Sequence, residues 1–415
     1  MGHMAEKRKV IIIGGGPAGS MTALSMCKQR PDLARDILIL EARDFPREKV
    51  CGGGVSGKVI QYLSSLDVSL QGIPHVKAEG MYVILKDRKA AVSFGGQDTC
   101  VVRRSVFDSF LLEEAARRGV EVRRGSAAVG AYRERSYMVT IDGEGNRYES
   151  QVLVGADGVN GASRTWLGMP ARLNRTLLLQ ADLRRIESGH PFDSNLVLDF
   201  SALLHGIPGY TWFFPSVDEE GSPVFNTGIT GGSFNRGGSA ALKKAYEAVC
   251  ASHPLIKGLT SGEFRYKPYP ERGFSPFQPN AGKRVVFVGD QVGVDAITGE
   301  GLGICADTAV LAADAVITAV DSGDFSFWDY RRRLLKADFI PLWMAGKLFA
   351  MCLTERRFSV LFPLILNLDE DGREFVMDHY ARIFSGISAG WSLFTTALLK
   401  EVFNGISQLA SSGTG

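Results

Sequence analysis

Val10-Ile11-Ile12-Ile13-Gly14-Gly15-Gly16-Pro17-Ala18-Gly19 is the stretch that decides how the rest of the chain is read. Its four consecutive branched apolar residues do not alternate with polar ones, so they predict a strand buried on both faces, as in a parallel sheet. The strand runs straight into Gly14-x-Gly16-x-x-Gly19. Each glycine has a physical reason: Gly14 for a tight turn, Gly16 for bare backbone beside a phosphate, Gly19 for close packing of helix on strand. Pro17 and Ala18 open that helix, predicted to run to about Arg30, and its first amides offer donors and partial positive charge. A second buried strand, Ile37-Leu38-Ile39-Leu40, ends in Glu41-Ala42, with the acid 22 residues past Gly19, at the strand tip where ribose hydroxyls would be met. The glycine spacing alone also occurs in ordinary turns; with both strands and the acid it marks a dinucleotide-binding βαβ unit.

Two further strand ends say which dinucleotide. Val152-Leu153-Val154 leads into Gly155-Ala156-Asp157-Gly158, and Val285-Val286-Phe287-Val288 into Gly289-Asp290. A nicotinamide nucleotide has no need of these additions, whereas FAD extends a ribityl chain and a flat ring past its pyrophosphate. Asp157 and Asp290 are therefore candidate cofactor residues, Asp290 for a ribityl hydroxyl. Thr298-Gly299-Glu300-Gly301-Leu302-Gly303 then opens a helix predicted to reach about Val320, whose first amides can face a reduced flavin's negative charge. Gly289, Gly299, Gly301 and Leu302 join the candidate FAD contacts.

Working outward, Ser105 is a candidate N-cap for an apolar helical segment that stops at Gly119, and Val120 to Val154 predicts a short strand plus a hairpin around Asp142-Gly143-Glu144-Gly145-Asn146. Residues 178–268 alternate aromatic and β-branched residues with Gly and Pro, as a separate antiparallel sheet would. From about Phe325 the chain is helical and apolar-rich, broken by Lys347, Glu355, Arg356 and Arg357, so a membrane-crossing helix is not expected there. The reading is an α/β (α+β) fold: a Rossmann-like FAD-binding domain (5–75, 100–175 and 280–325), an inserted antiparallel-sheet substrate domain (76–99 and 176–279) and a helical C-terminal region (326–415). With 415 residues and a formal charge of +2, bulk charge does not drive nucleic-acid binding. Six cysteines at 27, 51, 100, 250, 305 and 352 form no C-x-x-C pair, which fits a reducing, cytoplasmic setting, and no metal-ligand spacing occurs.

With those residues in view, the chain resembles the geranylgeranyl reductases, within the wider class of FAD enzymes shaped like p-hydroxybenzoate hydroxylase. Pro46-Arg47-Glu48-Lys49-Val50-Cys51-Gly52-Gly53-Gly54 is similar to that family's P-x-x-K-x-C-G-G-G, and Arg104-Ser105-Val106-Phe107-Asp108 to its R-x-x-F-D. Tyr210-Thr211-Trp212-Phe213-Phe214-Pro215 matches its Y-x-W-x-F-P, and Asp295 to Gly301 is similar to its D-P-x-T-G-E-G, with Ala296 in place of the proline and Ser216 following Pro215. The resemblance spans roughly residues 10 to 335. It implies that the loop of Cys51, Gly52 and Gly53 lies by the flavin, with Cys51 assisting proton delivery or placing substrate. From the residues alone this is equally a glycine loop with an incidental thiol. Tyr210, Trp212 and Phe214 share one face of a strand. They form either plain core or, as the resemblance implies, the wall of a polyene pocket, with Tyr210 and Trp212 beside the reaction. Arg104 is a candidate for the pyrophosphate, and His205 is a candidate acid or a structural histidine.

The function so implied is an FAD-dependent reductase that saturates C=C bonds of a geranylgeranyl or polyprenyl chain on a lipid or quinone. A flavin halogenase or aromatic hydroxylase is the alternative, its lysine unassigned among Lys58, Lys77 and Lys86. A lipid-binding flavoprotein without turnover is a third. No second dinucleotide turn is present, so electrons arrive from transiently bound NAD(P)H or from a small protein such as ferredoxin. Arg331-Arg332-Arg333 is a candidate contact with anionic headgroups at the inner face of the membrane, or simply a solvated helix face.

Overall fold

The computed structural model describes residues 5–85, 88–94, 98–171, 175–184, 194–218, 221–231, 238–252, 265–294, 299–337 and 339–340. The expected helical region beyond 340, Lys86, and Asp295 to Thr298 lie outside the described residues.

The opening apolar run lies at the centre of a parallel sheet whose strands follow the order Val285–Phe287, Arg147–Gly155, Glu6–Ile13, Ile37–Leu40, Glu121–Arg123. Val10 is in register with Ile37 on one side and Val152 on the other, and Val10, Ile11 and Ile12 are wholly buried. Helix Pro17–Gln29 packs between helices Leu302–Ser322 and Arg104–Arg117. Leu302–Ser322 is long and apolar enough to cross a membrane, but Ala309, Ala312, Ala313 and Val316 are buried in the core, so the same apolarity serves packing.

Three local expectations change. The strand Glu121–Arg123 does not start the hairpin region; it extends the parallel sheet beside Ile37–Leu40. The meander is instead Ala128–Arg133, Met138–Asp142 and Arg147–Gly155. Ser105 is not an N-cap: the helix begins at Arg104 with Arg103 at the cap position. Starting two residues earlier brings Arg104 into the helix, one turn before Asp108, and the two side chains pair on one helix face. Finally, the segment read as continuous sheet contains the helix Gly238–Ser252, whose Leu242, Ala245, Tyr246 and Val249 recur at helical spacing and are buried.

The second sheet has seven strands in the order Lys267–Arg272, Arg175–Arg184, Pro223–Thr230, Thr211–Val217, Asn195–Asp199, Gly80–Leu85, Arg88–Ser93. All neighbours are antiparallel except Asn195–Asp199 with Gly80–Leu85. One face carries Phe213, stacked on Tyr246 of the helix (centroids 6.3 Å apart). The other carries Leu178, Leu196, Tyr210 and Trp212, with Phe214 packed against them. A small third sheet, Gly54–Val55, Cys100–Val102 and His75–Lys77, carries the loop after residue 50 toward this second face.

Candidate active site

A cavity of about 940 Å³ runs from the first glycine turn to the aromatic face of the second sheet. Gly14, Gly16, Pro17, Ala18, Glu41 and Ala42 line one end. Gly14 has φ +104, and a Cβ there would lie 2.4 Å from Ala156 O, so only glycine fits the crossing of these two strands. Glu41 is 5% exposed; its Oε2 accepts from Gly15 N (2.7 Å) and its Oε1 from Arg43 N (2.9 Å), which fixes the carboxylate at the strand tip. Bare backbone, a helix start and a held acid fit an adenosine and a pyrophosphate. Gly19 and Gly289 lie behind this wall rather than on it: a Cβ at Gly19 would meet Gly14 O at 2.0 Å, and one at Gly289 would meet Ala18 Cβ at 2.4 Å.

Two cations stand near the turn. Arg104, 8% exposed, donates to Asp108 through Nε (2.7 Å) and Nη2 (3.2 Å) and stands near the Cys51 side chain. The guanidinium beside Gly16 is that of Arg47, whose Nη2 lies 3.1 Å from where a Gly16 Cβ would be. Arg47 is steadied by Glu41 (3.8 Å) and Asp108 (3.5 Å). Sequence reading passed over Arg47 because nothing local aims it; a cation in the P-x-x-K-x-C segment was the only signal.

Asp157 and Asp290 both line the cavity. Asp157 is held by Ser163 N (2.9 Å), Ser163 Oγ (2.6 Å) and Gln291 Nε2 (2.7 Å), so its carboxylate already orders the turn it stands on. Behind it the buried Arg164 donates to Gln291 O (2.7 Å) and Asn280 Oδ1 (2.7 Å); burial, then Arg272, draw its pKa down to about 9, leaving it charged at neutral pH. Asp290 faces Lys49, with Nζ 3.3 Å away and lying 3.8 Å above the Tyr269 ring, whose hydroxyl it also contacts. Burial alone would raise the Asp290 carboxyl, but Lys49 and then Arg104 outweigh it and hold it below the ordinary carboxylate range. Burial likewise opposes the Lys49 ammonium, and Asp290 and Tyr269 more than offset that, holding its pKa above the ordinary lysine value. Lys49 and Tyr269 are site residues that sequence reading missed, since residues 220 positions apart are joined only by the fold.

The loop from Arg47 to Gly54 spans the cavity. It starts against Gly16 and ends with Gly52 on the aromatic wall, where a Cβ would meet Phe214 Cε2 at 2.9 Å and Trp212 Nε1 at 3.5 Å. Cys51, Gly52 and Gly53 therefore lie between the two ends, with Cys51 Sγ accepting from Gly53 N at 3.4 Å. Trp212 packs against Gly228, whose missing Cβ would stand 2.4 Å from the indole. Tyr210 reaches the other glycine turn: a Cβ at Gly299 would lie 3.1 Å from its hydroxyl. Gly299, Gly301 and Leu302 line the cavity there, and Gly303 N donates to Glu300 Oε1, so the helix start carries an acid of its own. His205 is exposed at the end of a 3-10 turn, outside the cavity.

Residues 7–190 match the family described as FAD binding domain. The digeranylgeranylglycerophospholipid reductase of Methanococcus vannielii is 25% identical over 338 residues, covering 79% of this chain and 81% of that protein. A geranylgeranyl bacteriochlorophyll reductase-like protein of Thermoplasma acidophilum has the same fold, with a TM-score of 0.73 over 98% of this chain and 100% of that one at 21% identity. A flavin-dependent brominase shares it as well, with a TM-score of 0.69 over 96% and 100% at 19% identity. The chain thus carries an FAD-binding domain at residues 7–190 and shares the two-sheet fold of these flavoproteins, while a reductase relative aligns with it over about four-fifths of its length.

Proposed function

We propose that the protein saturates C=C bonds in a geranylgeranyl or polyprenyl chain carried on a lipid or quinone. The observation that carries this reading is the single cavity joining the FAD end to an aromatic wall, bridged by the cysteine loop. Bound FAD, once reduced, supplies the hydride. The chain's own residues do the rest. Tyr210, Trp212, Phe214, Leu178 and Leu196 offer an apolar surface that seats a polyene and excludes water, which an unactivated alkene needs. Cys51 is placed to hand over the second hydrogen as a proton, since its sulfur sits in the bridging loop next to Arg104 and the Gly53 N–H. Arg47 and the glycine turn hold the pyrophosphate, and Asp290 a ribityl hydroxyl.

Electrons enter from NAD(P)H or a small carrier such as ferredoxin. We place the protein in the cytoplasm, in keeping with free cysteines at 27, 51, 100, 250 and 305. It contacts the inner membrane face through helix Trp328–Leu334, where Trp328 is 71% exposed beside Arg331 and Arg332.

The halogenase alternative needs a lysine at the substrate. Lys58 pairs with Asp307 at 2.7 Å and Lys77 faces Asp98 at 3.7 Å, and neither lines the cavity; Lys49 does line it, but its ammonium is engaged by Asp290 at 3.3 Å and by Tyr269. The test is anaerobic reduction of the bound flavin followed by geranylgeranyl lipids. Reoxidation with formation of the saturated chain is expected; a flavin that stays reduced with every polyprenyl substrate refutes the reading.

A further inference from the structure

We propose that Gln180 and Asn226 are positioning residues for the Cys51 thiol; this rests on the reductase reading and names what holds its proton-delivering group. The Cys51 main chain is gripped on both sides by side chains of the second sheet. Its N–H donates to Gln180 Oε1 (2.9 Å), and its C=O accepts from Asn226 Nδ2 (2.7 Å). The two amides are themselves joined, Gln180 Nε2 donating to Asn226 Oδ1 (3.1 Å), and that same oxygen accepts from Trp212 Nε1 (3.2 Å). Gln180 is 5% and Asn226 2% exposed.

The ring has one consistent orientation. A main-chain N–H can only donate and a C=O only accept, so neither amide can be flipped without opposing like groups. The strand register explains the pairing: Gln180 faces Gly228 and Asn226 faces Asp182, which makes the two amides diagonal neighbours across adjacent strands. With N–H and C=O both held, the freedom left to Cys51 is its side-chain torsion, and Sγ accepts from Gly53 N. Asn226 Oδ1 thus sets the indole of the substrate wall and, through the same amide, the cysteine opposite it.

Two variants of the full-length, FAD-loaded protein test this. Asn226→Asp keeps an oxygen for Trp212 and Gln180 but sets a second carboxylate oxygen, in place of the donor, against Cys51 C=O; Gln180→Glu keeps the acceptor for Cys51 N–H. Iodoacetamide labelling of the Cys51 peptide, followed by mass, should rise about tenfold in Asn226→Asp, the factor for one lost buried hydrogen bond, and less in Gln180→Glu. Turnover should fall through kcat with KM little changed. A merely architectural pair would leave the labelling rate of the folded protein alone. If both variants keep FAD and label Cys51 at the wild-type rate, the assignment is overturned. If labelling rises in Asn226→Asp while wild type and variants alike fail to oxidise reduced flavin with any polyprenyl lipid, the clamp stands and the reductase reading falls.

Discussion

Replacing Lys49 by methionine removes one charge from the cavity while keeping most of the side chain's bulk. Nζ lies 3.3 Å from Asp290 Oδ2, with 16% and 23% of the two side chains exposed. At an effective dielectric of about 20 the gross attraction is about 332/(20 × 3.3), or roughly 5 kcal/mol. Desolvation offsets much of that, but deleting one partner leaves the other buried, so we expect a loss of about 2–4 kcal/mol at pH 7. The sign with pH follows from the two shifts. Asp290 is held below its ordinary value, so its contribution is full above the unfolded pKa of about 4 and is lost as pH falls through the folded one. Lys49 is held above its ordinary value, so its contribution is full below the unfolded pKa of about 10.4 and is lost as pH rises through the folded one. The difference between wild type and variant should therefore be a plateau from about pH 5 to about pH 10 that closes at both ends. For a chain of this length, where unfolding entropy is near 0.9 kcal/mol/K, the loss is a Tm lower by about 2–5 °C. Near-UV circular dichroism melts of the FAD-free protein at pH steps across that range measure it. Equal Tm values at pH 7, or a gap that stays as wide at pH 3 as at pH 7, would refute the reasoning.

Three other substitutions probe the remaining walls. Gly14→Ala puts a Cβ 2.4 Å from Ala156 O at φ +104, a strain of about 3 kcal/mol, so desalted protein should retain less than a tenth of its flavin by absorbance; full retention would contradict it. Glu41→Gln turns one of two accepting oxygens into a donor facing Gly15 N or Arg43 N, and FAD affinity should fall roughly tenfold in a fluorescence titration. Gly228→Ala drives a Cβ to 2.4 Å from the Trp212 indole and 2.1 Å from Leu179 O, so KM for a polyprenyl substrate should rise as the wall buckles; an unchanged KM would show that Trp212 does not touch substrate.

What was legible in the sequence was what is decided locally. The run Val10–Ile13, the glycine turn and Glu41 lie within a few dozen residues, and each needs its residue type for backbone or burial reasons alone. The alternation of Tyr210, Trp212 and Phe214 likewise follows from strand geometry, and the opposite placement of Phe213 against Tyr246 bears it out. The pairings were not legible. Arg47 over Gly16 and Lys49 with Tyr269 depend on how the loop after residue 46 folds across the site, and Gln180 with Asn226 on strand register, and a single polar residue carries no mark of its distant partner. Helix Gly238–Ser252 was overlooked for another reason: a β-rich context on both sides outweighed a clear apolar period within it.

The lone parallel pairing in the second sheet has a consequence for how the molecule is made. Gly80 and Asn195 are neighbours in space but about 115 residues apart in the chain, and closing such a loop unaided costs about 4 kcal/mol of chain entropy. Much of the intervening chain belongs to the parallel sheet, so once that sheet forms, most of the closure has already happened. The aromatic floor should therefore order last, templated by the nucleotide-binding half. A pulse of hydrogen exchange during refolding should find amides of Glu6–Ile13 protected before those of Asn195–Asp199.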